Sequence, residues 1–416
     1  MGNEISRREF IRSLAILATA APWMATFANY EQVKDNVSSD TVRIGIIGTG
    51  SRGTKLLLHL QTIPGVEIVA LCDNYLPHLN DGLQLMESSV YSTEAYQELL
   101  NRDDIDGVVI ATPPHLHPQI TIDSLDAGNH VFCEKVMALS PQDCFRMAEK
   151  QQETDRILQI GFQRLFDIRY LKAKELITAG EIGPVTAVRA NWHRNDNWRR
   201  PVRAPKLEVQ LNWRLYDEFS GGLMAELGAH QLQIVNWMLD TYPTEVNGTG
   251  SINHWDDGRD IYDNIHLIFS YPDGVFLEYS SLLSNSHNGV IEQFLGPKGA
   301  IELEAGKYYS ETPPKSPGIV QLLEDIEETI FRTVPIGGAS WVAGGQDKSD
   351  PEYIVPDVSI PSATQLELEA FIQSIRMGEH NQELLNQALS ASLTSILANN
   401  SIGKRSTHTW TFGDIQ

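Results

Sequence analysis

The stretch VRIGIIGTGSRG, residues 42–53, is an apolar run that breaks into three glycines. Gly48, Gly50 and Gly53 form the pattern G-x-G-x-x-G between a predicted strand over 42–47 and a helix predicted to follow it. In this setting the first glycine makes a tight turn, the second lets the backbone approach a pyrophosphate, and the third lets the helix pack on the strand. The stretch therefore predicts a loop that binds the phosphates of a dinucleotide at a helix N-terminus.

A carboxylate follows the loop at the spacing typical of a dinucleotide site. The second apolar run, residues 66–73, ends in Asp73, 20 residues beyond Gly53. An acid there accepts hydrogen bonds from the adenosine ribose and would repel a 2′-phosphate, which favours NAD over NADP. Arg52 leaves NADP open, because its guanidinium could reach either the pyrophosphate or a 2′-phosphate. The residues predicted to contact the nucleotide here are Gly48, Thr49, Gly50, Ser51, Arg52, Gly53 and Asp73.

Residues 41–162 alternate short apolar strands with helical segments. Three more strands are predicted at 106–114, 130–135 and 156–161, and a capped helix is predicted at 92–101. Because this alternation is typical of a doubly wound parallel sheet, the first domain is predicted to be a Rossmann fold.

From residue 163 to 416 the pattern changes to strands that are joined partly by hairpins. Two candidates at 265–271 and 275–281 are connected by the turn sequence YPDG, residues 271–274. This predicts an α+β domain with a largely antiparallel open sheet, so the whole chain is expected to be an α/β protein of two domains. Such a sheet leaves one face uncovered, and that face predicts a homodimer or homotetramer.

The 416-residue chain carries 54 acidic against 32 basic side chains, which gives a net charge of −22. A surface this acidic repels nucleic acid phosphates and anionic membranes, so neither is an expected partner. The three cysteines, Cys72, Cys133 and Cys144, form no C-x-x-C pair and have no matching histidine cluster, so no metal site is expected. They are expected to be small buried residues.

Residues 1–40 are predicted to be a signal peptide and linker. The sequence SRREF at 6–10 precedes a weakly apolar stretch over 14–21 that contains the small-residue sequence ATA at 18–20. Adjacent arginines followed by Phe10 resemble a twin-arginine signal, which predicts a protein that is periplasmic or otherwise exported after folding. A short amphipathic helix is the alternative. No later run reaches the roughly 18 apolar residues that a membrane span needs.

Four further motifs extend the pattern beyond the glycine loop. They are ATPPHLH (111–117), CEKVMALS (133–140), GFQRLF (161–166) and GGLMAELGAH (221–230). Together with the loop they resemble the Gfo/Idh/MocA family, which includes glucose–fructose oxidoreductase and inositol 2-dehydrogenase, over residues 41–412. The resemblance implies an NAD(P)-dependent oxidoreductase that transfers a hydride from a secondary hydroxyl of a sugar, polyol or glycoside. The expected partner is therefore a small carbohydrate.

The resemblance also implies three catalytic residues. Lys135 follows Glu134 at a strand end, where the family's lysine lies near the reacting carbon, although Val136 replaces the family's proline. His230 matches the family's proton acceptor, and Glu226 stands where the family has an aspartate. Residues four apart share a helix face, so the carboxylate is expected to orient the imidazole and stabilise its charged form. A purely structural Glu–His pair is the alternative.

The nicotinamide and the substrate are expected to lie between the domains. The residues assigned to the nicotinamide side are Thr112, Pro113, His117, Glu134 and Lys135, with His115 taken as incidental. Rings and polar groups alternate at 192–200 and 212–219, which suits sugars because their C–H faces pack on rings and their hydroxyls need polar partners. Each tryptophan could instead be a core residue, and Arg164 could be an interdomain ion-pair partner. The substrate candidates are Gln163, Arg164, Tyr170, Trp192, His193, Trp198, Arg199, Trp213 and Arg214.

Three classes of function remain open from the sequence. The leading one is an exported dehydrogenase that holds its cofactor tightly, since free NAD is scarce outside the cytoplasm. The alternative is an NAD-dependent glycoside hydrolase, which oxidises a ring hydroxyl transiently so that the glycosidic bond is lost by elimination. A non-catalytic sugar-binding or scaffold protein is the third class, and the presence of both Lys135 and His230 argues against it.

Overall fold

The computed structural model of the chain describes residues 41–311, 351–354, 362–404 and 408–409. The predicted signal segment lies outside these residues. The described residues form a six-stranded sheet and a nine-stranded sheet.

The first sheet is parallel throughout. Its strands are β1 Val42–Ile47, β2 Val66–Cys72, β3 Tyr91–Thr93, β4 Gly107–Ile110, β5 His130–Glu134 and β6 Leu158–Gly161. They lie in the order β3-β2-β1-β4-β5-β6 and are connected by helices α1 Ser51–Leu60, α2 Leu76–Gln84, α3 Tyr96–Leu100, α4 His117–Asp126 and α5 Pro141–Gln152. This confirms the predicted Rossmann fold. Because the strand order reverses between β1 and β4, a crevice opens at the carboxyl ends of these strands.

The segment around β3 differs from the expectation of a helix over 92–101. Residues Tyr91–Thr93 pair with β2 instead, and the helix α3 is only five residues long. The Thr93 hydroxyl accepts a hydrogen bond from the Ala95 N–H at 3.1 Å and donates to the Glu98 carboxylate. The expected cap at Ser92 or Thr93 is therefore wrong: Ala95 is the N-cap of α3 without a side-chain cap, and Thr93 ends an edge strand in a local turn.

The second sheet is mixed and largely antiparallel, as predicted. Its strands are β7 Ala187–His193, β8 Glu245–Ser251, β9 Asn264–Ser270, β10 Phe276–Leu282, β11 Val290–Gly296, β12 Gly299–Glu302, β13 Lys307–Ser310, β14 Glu352–Tyr353 and β15 His408–Thr409. They lie in the order β14-β13-β12-β11-β7-β10-β9-β8-β15, and β7 pairs with β10 in parallel. The YPDG turn joins β9 to β10, and the Tyr271 N–H donates to the Val275 carbonyl at 2.8 Å.

The remaining helices surround this second sheet and return to the first. They are α6 Ile168–Thr178, α7 Glu208–Leu211, α8 Asp217–Ser220, a π-helical turn Met224–Gly228, α9 Ala229–Leu239, α10 Ala363–Met377 and α11 Gln382–Lys404. Helix α9 is buried on nearly every side because it lies between the second sheet and α11.

The helix α10, which the sequence places in the second domain, packs on the first sheet. Leu368, Phe371 and Ile372 are fully buried in the same core as Ile44 and Phe132, and the rings of Phe132 and Phe371 lie 5.7 Å apart. The two sheets are thus joined both by the chain at residue 162 and by helices that are distant in sequence.

Within the described ranges, none of the helices combines the length and apolar character that crossing a membrane requires. No group of His, Cys, Asp or Glu side chains among these residues could hold a metal ion. Cys72, Cys133 and Cys144 are buried free thiols.

Candidate active site

A cavity of about 1080 Å³ lies between the carboxyl ends of the first sheet and the segment that follows β7. One end is formed by the glycine loop and by the residues that follow β2. The other end is formed by residues between Trp192 and His230. We call these the nucleotide end and the sugar end.

The glycine loop at the nucleotide end has the geometry that its sequence predicts. Gly48 has φ +94°, and a Cβ there would lie 2.8 Å from the Ala111 carbonyl group. A Cβ on Gly53 would lie 1.8 Å from the Gly48 carbonyl oxygen, so only glycine lets α1 pack this closely on the turn. A Cβ on Gly50 would meet only the His78 imidazole, at 3.5 Å, which leaves this side of the loop open to the cavity.

The first turn of α1 fits a dinucleotide phosphate. No side chain caps this helix, and its first turn contains no acidic residue. Its leading backbone N–H groups are therefore available to an anion, and the helix dipole favours negative charge there. Ser51 and Arg52 line the cavity at the same point. The hydroxyl oxygen of Thr112, at the end of β4, is buried without a hydrogen-bond partner, so a polar ligand group has a partner ready on this side.

Asp73 and Arg52 are tied to the protein around this loop. The Asp73 carboxylate accepts hydrogen bonds from the backbone N–H groups of Thr49 and Tyr75, at 2.8 and 2.9 Å, and it still lines the cavity. Since carboxylate oxygens have further lone pairs, a contact with the adenosine ribose stays a prediction. Arg52 makes an ion pair with Glu134 at 2.6 Å, so it braces the end of β5 from the start of α1.

Lys135 lies where the two domains meet. Its peptide bond to Val136 is cis, and its ammonium group donates to the backbone carbonyls of Glu226 and Ala225, at 3.0 and 3.4 Å. An ammonium has three N–H donors, so one remains for a ligand. Burial lowers the pKa of Lys135 below its ordinary value of 10.5, although the nearby carboxylates of Glu226 and Glu134 oppose this.

Glu226 does not orient His230 as the sequence predicted. Its carboxylate instead accepts a hydrogen bond from the guanidinium of Arg214 at 2.8 Å. Burial alone would raise the pKa of Glu226, but the charges of Arg214 and Lys135 outweigh it and hold the pKa below its ordinary value. A carboxylate this buried is better stabilised by two permanent cations than by an imidazole, so spacing on one helix did not decide the pairing.

His230 is held by packing in place of a carboxylate. Its ring lies 5.8 Å from the rings of both Phe162 and Trp192, and its Nδ1 is buried without a hydrogen-bond partner among the described residues. Burial, followed by the charges of Lys135, Arg164, Arg52 and Arg194, lowers the pKa of His230 well below its ordinary value. The imidazole is therefore neutral near pH 7 and has a lone pair that can accept a proton.

The structure places His115 on the cavity and His117, the histidine assigned to the nicotinamide side, away from it. His117 is buried, and its ring nitrogens lie 2.7 Å from the Val136 carbonyl and 2.9 Å from the Thr112 carbonyl. It joins the ends of β4 and β5 and does not line the cavity, whereas His115 does, beside Phe219 at a ring distance of 4.9 Å. The short 3-10 turn Pro114–Leu116, which the sequence did not reveal, decides which of the two histidines faces the cavity.

Three of the expected substrate residues lie outside the cavity. Arg164 makes a buried ion pair with Glu292, and the Tyr170 hydroxyl donates to the same carboxylate and to Glu304. His193 contacts the Ser280 hydroxyl at 2.9 Å instead. These groups find protein partners far away in sequence, so the alternative structural role of Arg164 is the one observed, within the second domain.

The other expected substrate residues do line the cavity: Gln163, Trp192, Trp198, Arg199, Trp213 and Arg214. The sequence patterns did not single out Arg194, Asp196, Arg200, Gln210, Leu211 and Phe219, which line it as well. Arg194 and Arg200 lie inside the stretch 192–200 that was chosen for its rings. The alternation of rings with arginines in that stretch is a signal that could have found both.

Comparisons with known proteins cover both sheets. An oxidoreductase family with an NAD-binding Rossmann fold matches residues 42–162, and the GFO/IDH/MocA C-terminal domain matches residues 170–302. The inositol 2-dehydrogenase of Salmonella typhimurium is 29% identical over 202 residues, which are 48% of this chain and 55% of that protein. The chain thus spans about half the length of such curated relatives.

Two further matches extend over more of the chain. A 2,7-anhydro-N-acetylneuraminate hydratase of Mediterraneibacter gnavus is 30% identical over 274 residues, which are 64% of this chain and 67% of that protein. The solved structure of a levoglucosan dehydrogenase with NADH and levoglucosan matches 89% of this chain and 99% of its own, with a TM-score of 0.69 at 17% identity, which shows the shared fold. The chain belongs to the GFO/IDH/MocA oxidoreductase family, and its first domain is the NAD-binding Rossmann fold of that family.

Proposed function

We propose that this protein is an NAD-dependent dehydrogenase that takes a hydride from a secondary hydroxyl of a sugar, polyol or glycoside. The observation that carries the proposal is the meeting of His230 and Lys135 in one cavity with the glycine loop. The names of two similar proteins, an inositol 2-dehydrogenase and a levoglucosan dehydrogenase, support this substrate class. NADP remains the second choice of cofactor, because Asp73 lies at the nucleotide end.

Each catalytic group has a separate task in this reaction. When bound, the nicotinamide supplies the acceptor for the hydride. His230 accepts the hydroxyl proton, since burial and the surrounding cations keep its imidazole neutral. Lys135 directs its remaining N–H toward the same oxygen and stabilises the negative charge that develops there. Glu226 acts indirectly, because it fixes Arg214 and offsets the charge of Lys135.

We further propose export through a twin-arginine signal, with the cofactor loaded beforehand and retained. The sequence SRREF supports export. A contact across the cavity supports retention: the Gln210 amide donates to Asn74, at 3.0 Å, and so joins the sugar-end segment to the loop after β2. We also propose that the protein forms a homodimer or homotetramer. Ile268 and Phe276 of the second sheet are 53% and 51% exposed, and an apolar sheet face of this kind suits contact with a second copy of the chain.

The second candidate is a glycoside hydrolase that uses NAD transiently and releases sugar by elimination. The relative from Mediterraneibacter gnavus favours it, because it is named a hydratase, a class that adds or removes water without net oxidation. The two candidates share the first oxidation step at His230 and Lys135. They differ in whether reduced nicotinamide accumulates.

The test starts from protein purified without added nucleotide. Sugars, polyols and glycosides are added in turn while the near-ultraviolet absorbance of reduced nicotinamide is recorded. We expect a rise limited to one equivalent per chain, and no rise in the Lys135→Ala and His230→Ala variants that still bind nucleotide. If free sugar is released while the absorbance of reduced nicotinamide stays constant, the protein is a glycoside hydrolase and the dehydrogenase proposal is wrong. If neither reduced nicotinamide nor free sugar is formed when NAD or NADP is supplied, both candidate functions are contradicted.

A further inference from the structure

Arginine side chains dominate the sugar end of the cavity. The charged residues of the second domain that line it are Arg194, Arg199, Arg200, Arg214, Asp196 and Glu226. Guanidinium groups therefore outnumber carboxylates at this site, although the whole chain has a net charge of −22. A local excess of positive charge in so acidic a protein needs a physical reason.

Two of these arginines have their charge balanced by the protein. Arg199 makes ion pairs with Glu208 and with Asp257, the latter at 3.0 Å. Arg214 makes its ion pair with Glu226. These pairs balance the charges of Arg199 and Arg214 and hold the segment between β7 and α9 in place.

Arg194 and Arg200 are different, because no carboxylate of the described residues lies within 4.0 Å of either guanidinium. The Arg194 guanidinium lies over the Trp192 ring, 5.2 Å from its centroid. Among the described residues, Arg200 is hydrogen-bonded through its backbone, which exchanges two bonds with the Asn212 side chain, at 2.6 and 3.0 Å. Burial and the charge of Arg214 lower the pKa of Arg200, so its environment lacks a compensating anion.

Both arginines line the same cavity as His230 and Glu226. The charge of Arg194 is among those that depress the pKa of His230, and the charge of Arg214, the partner of Glu226, lowers the pKa of Arg200. Partly buried guanidinium groups are costly when unpaired, and their planar forks match a carboxylate or an ester of sulfate or phosphate.

We propose that the substrate is an anionic sugar whose acidic group binds to Arg194 and Arg200. The inference rests on the proposed function and narrows its substrate class. The guanidiniums of Arg194 and Arg200 would select the charge of the substrate. A carboxylate and a sulfate or phosphate ester share this chemistry, so the experiment has to separate them.

The experiment measures sugar binding by tryptophan fluorescence, because Trp192, Trp198 and Trp213 all line the cavity. The full-length protein, saturated with NAD, is titrated with glucose, galactose and mannose, with their uronic acids, and with their 6-sulfates and 6-phosphates. We expect at least one anionic series to bind about tenfold or more tightly than the neutral sugars. The series that binds best identifies the acidic group.

Two variants decide whether the arginines cause this preference. Arg194→Gln with Arg200→Gln removes both unpaired charges, and the preference for the anionic sugar is expected to vanish while neutral sugars bind as before. Arg189→Gln is the control, because Arg189 lies on the preceding strand β7, is 60% exposed and is paired with Glu278. The control is expected to keep the full preference.

The outcomes separate this inference from the dehydrogenase proposal. If neutral and anionic sugars bind equally in every matched set, or if the double variant keeps the preference, the inference is wrong. It is also wrong if the double variant loses affinity for NAD instead of for the sugar. If anionic sugars bind through the arginines but no nicotinamide is reduced, the inference stands and the dehydrogenase proposal fails.

Discussion

The two ends of the cavity bind their ligands through different parts of the chain. At the nucleotide end, one continuous turn from Gly48 to Gly53 presents backbone N–H groups, and side chains only brace it. At the sugar end, the segment between β7 and α9 has little regular structure and presents rings and guanidiniums held by ion pairs such as Arg199–Glu208. A site made of backbone is encoded by a short motif, whereas a site made of side chains depends on partners far along the chain.

The strongest test of this contrast is Gly53→Ala. The new methyl group would lie 1.8 Å from the Gly48 carbonyl oxygen, so the turn must open and its N–H groups must move. We expect NADH to bind roughly tenfold to 100-fold more weakly, measured by nicotinamide fluorescence. Gly403→Ala in α11 is the control, because a Cβ there meets nothing within 4 Å. Unchanged binding in Gly53→Ala would show that the backbone turn is not the binding element.

The pH dependence of the reaction should separate the two ends further. Burial and neighbouring cations put the pKa of His230 well below 6.5, so its neutral form persists in mild acid. The reaction is therefore expected to keep a larger share of its maximal kcat/KM at pH 5.5 than the roughly one tenth that a base of ordinary pKa would keep. On the alkaline side activity falls as Lys135 loses its proton, at a pKa below 10.5.

The pH dependence of NADH affinity is the control for the pH dependence of kcat/KM. Backbone N–H groups do not titrate, so the affinity for NADH should change little between pH 5.5 and 8. An acidic limb of kcat/KM at or above pH 6.5 would contradict the depressed pKa of His230. An equal fall in NADH affinity would show instead that acid damages the nucleotide end.

Local rules predicted those features that local geometry determines. The glycine loop and the YPDG hairpin were both readable from sequence. Each involves residues within a few positions of one another. The parallel sheet followed in the same way, because alternating strands and helices permit few other arrangements.

The failures have a common physical origin in partners that lie outside the local helix or turn. Glu226 pairs with Arg214, on a preceding segment, and not with His230, while Arg164 and Tyr170 meet Glu292 more than a hundred residues away. No periodicity in the sequence marks such pairs, since they form only when the separate segments of the second domain pack together.

The smallest predicted effect concerns a carboxyl group behind the nucleotide end. Glu367 of α10 is fully buried near Glu134 and Arg52, and neither of its carboxyl oxygens has a partner. Burial and the charge of Glu134 raise its pKa well above 4.5 in the folded protein. Above pH 4.5 the unfolded chain releases a proton that the folded protein retains, so the free energy of unfolding falls as pH rises.

Glu367→Gln removes this penalty because an amide cannot ionise. We expect the Tm of the variant at pH 8 to exceed that of the wild type by roughly 2 °C or more, and the gap to close toward pH 4.5. The exposed Glu379, just beyond α10, provides the control in Glu379→Gln, which should leave Tm unchanged at both pH values. A gap that is equal at both pH values would rule out ionisation as its cause.

The return of α10 to the first sheet has a consequence for biosynthesis. The ribosome completes β6 about 200 residues before it starts α10, yet Leu368, Phe371 and Ile372 belong to the core that contains β1. Until the last part of the chain emerges, the nascent first domain exposes the apolar surface around Ile44 and Phe132. The core beneath β1 is therefore completed only after α10 has been synthesised.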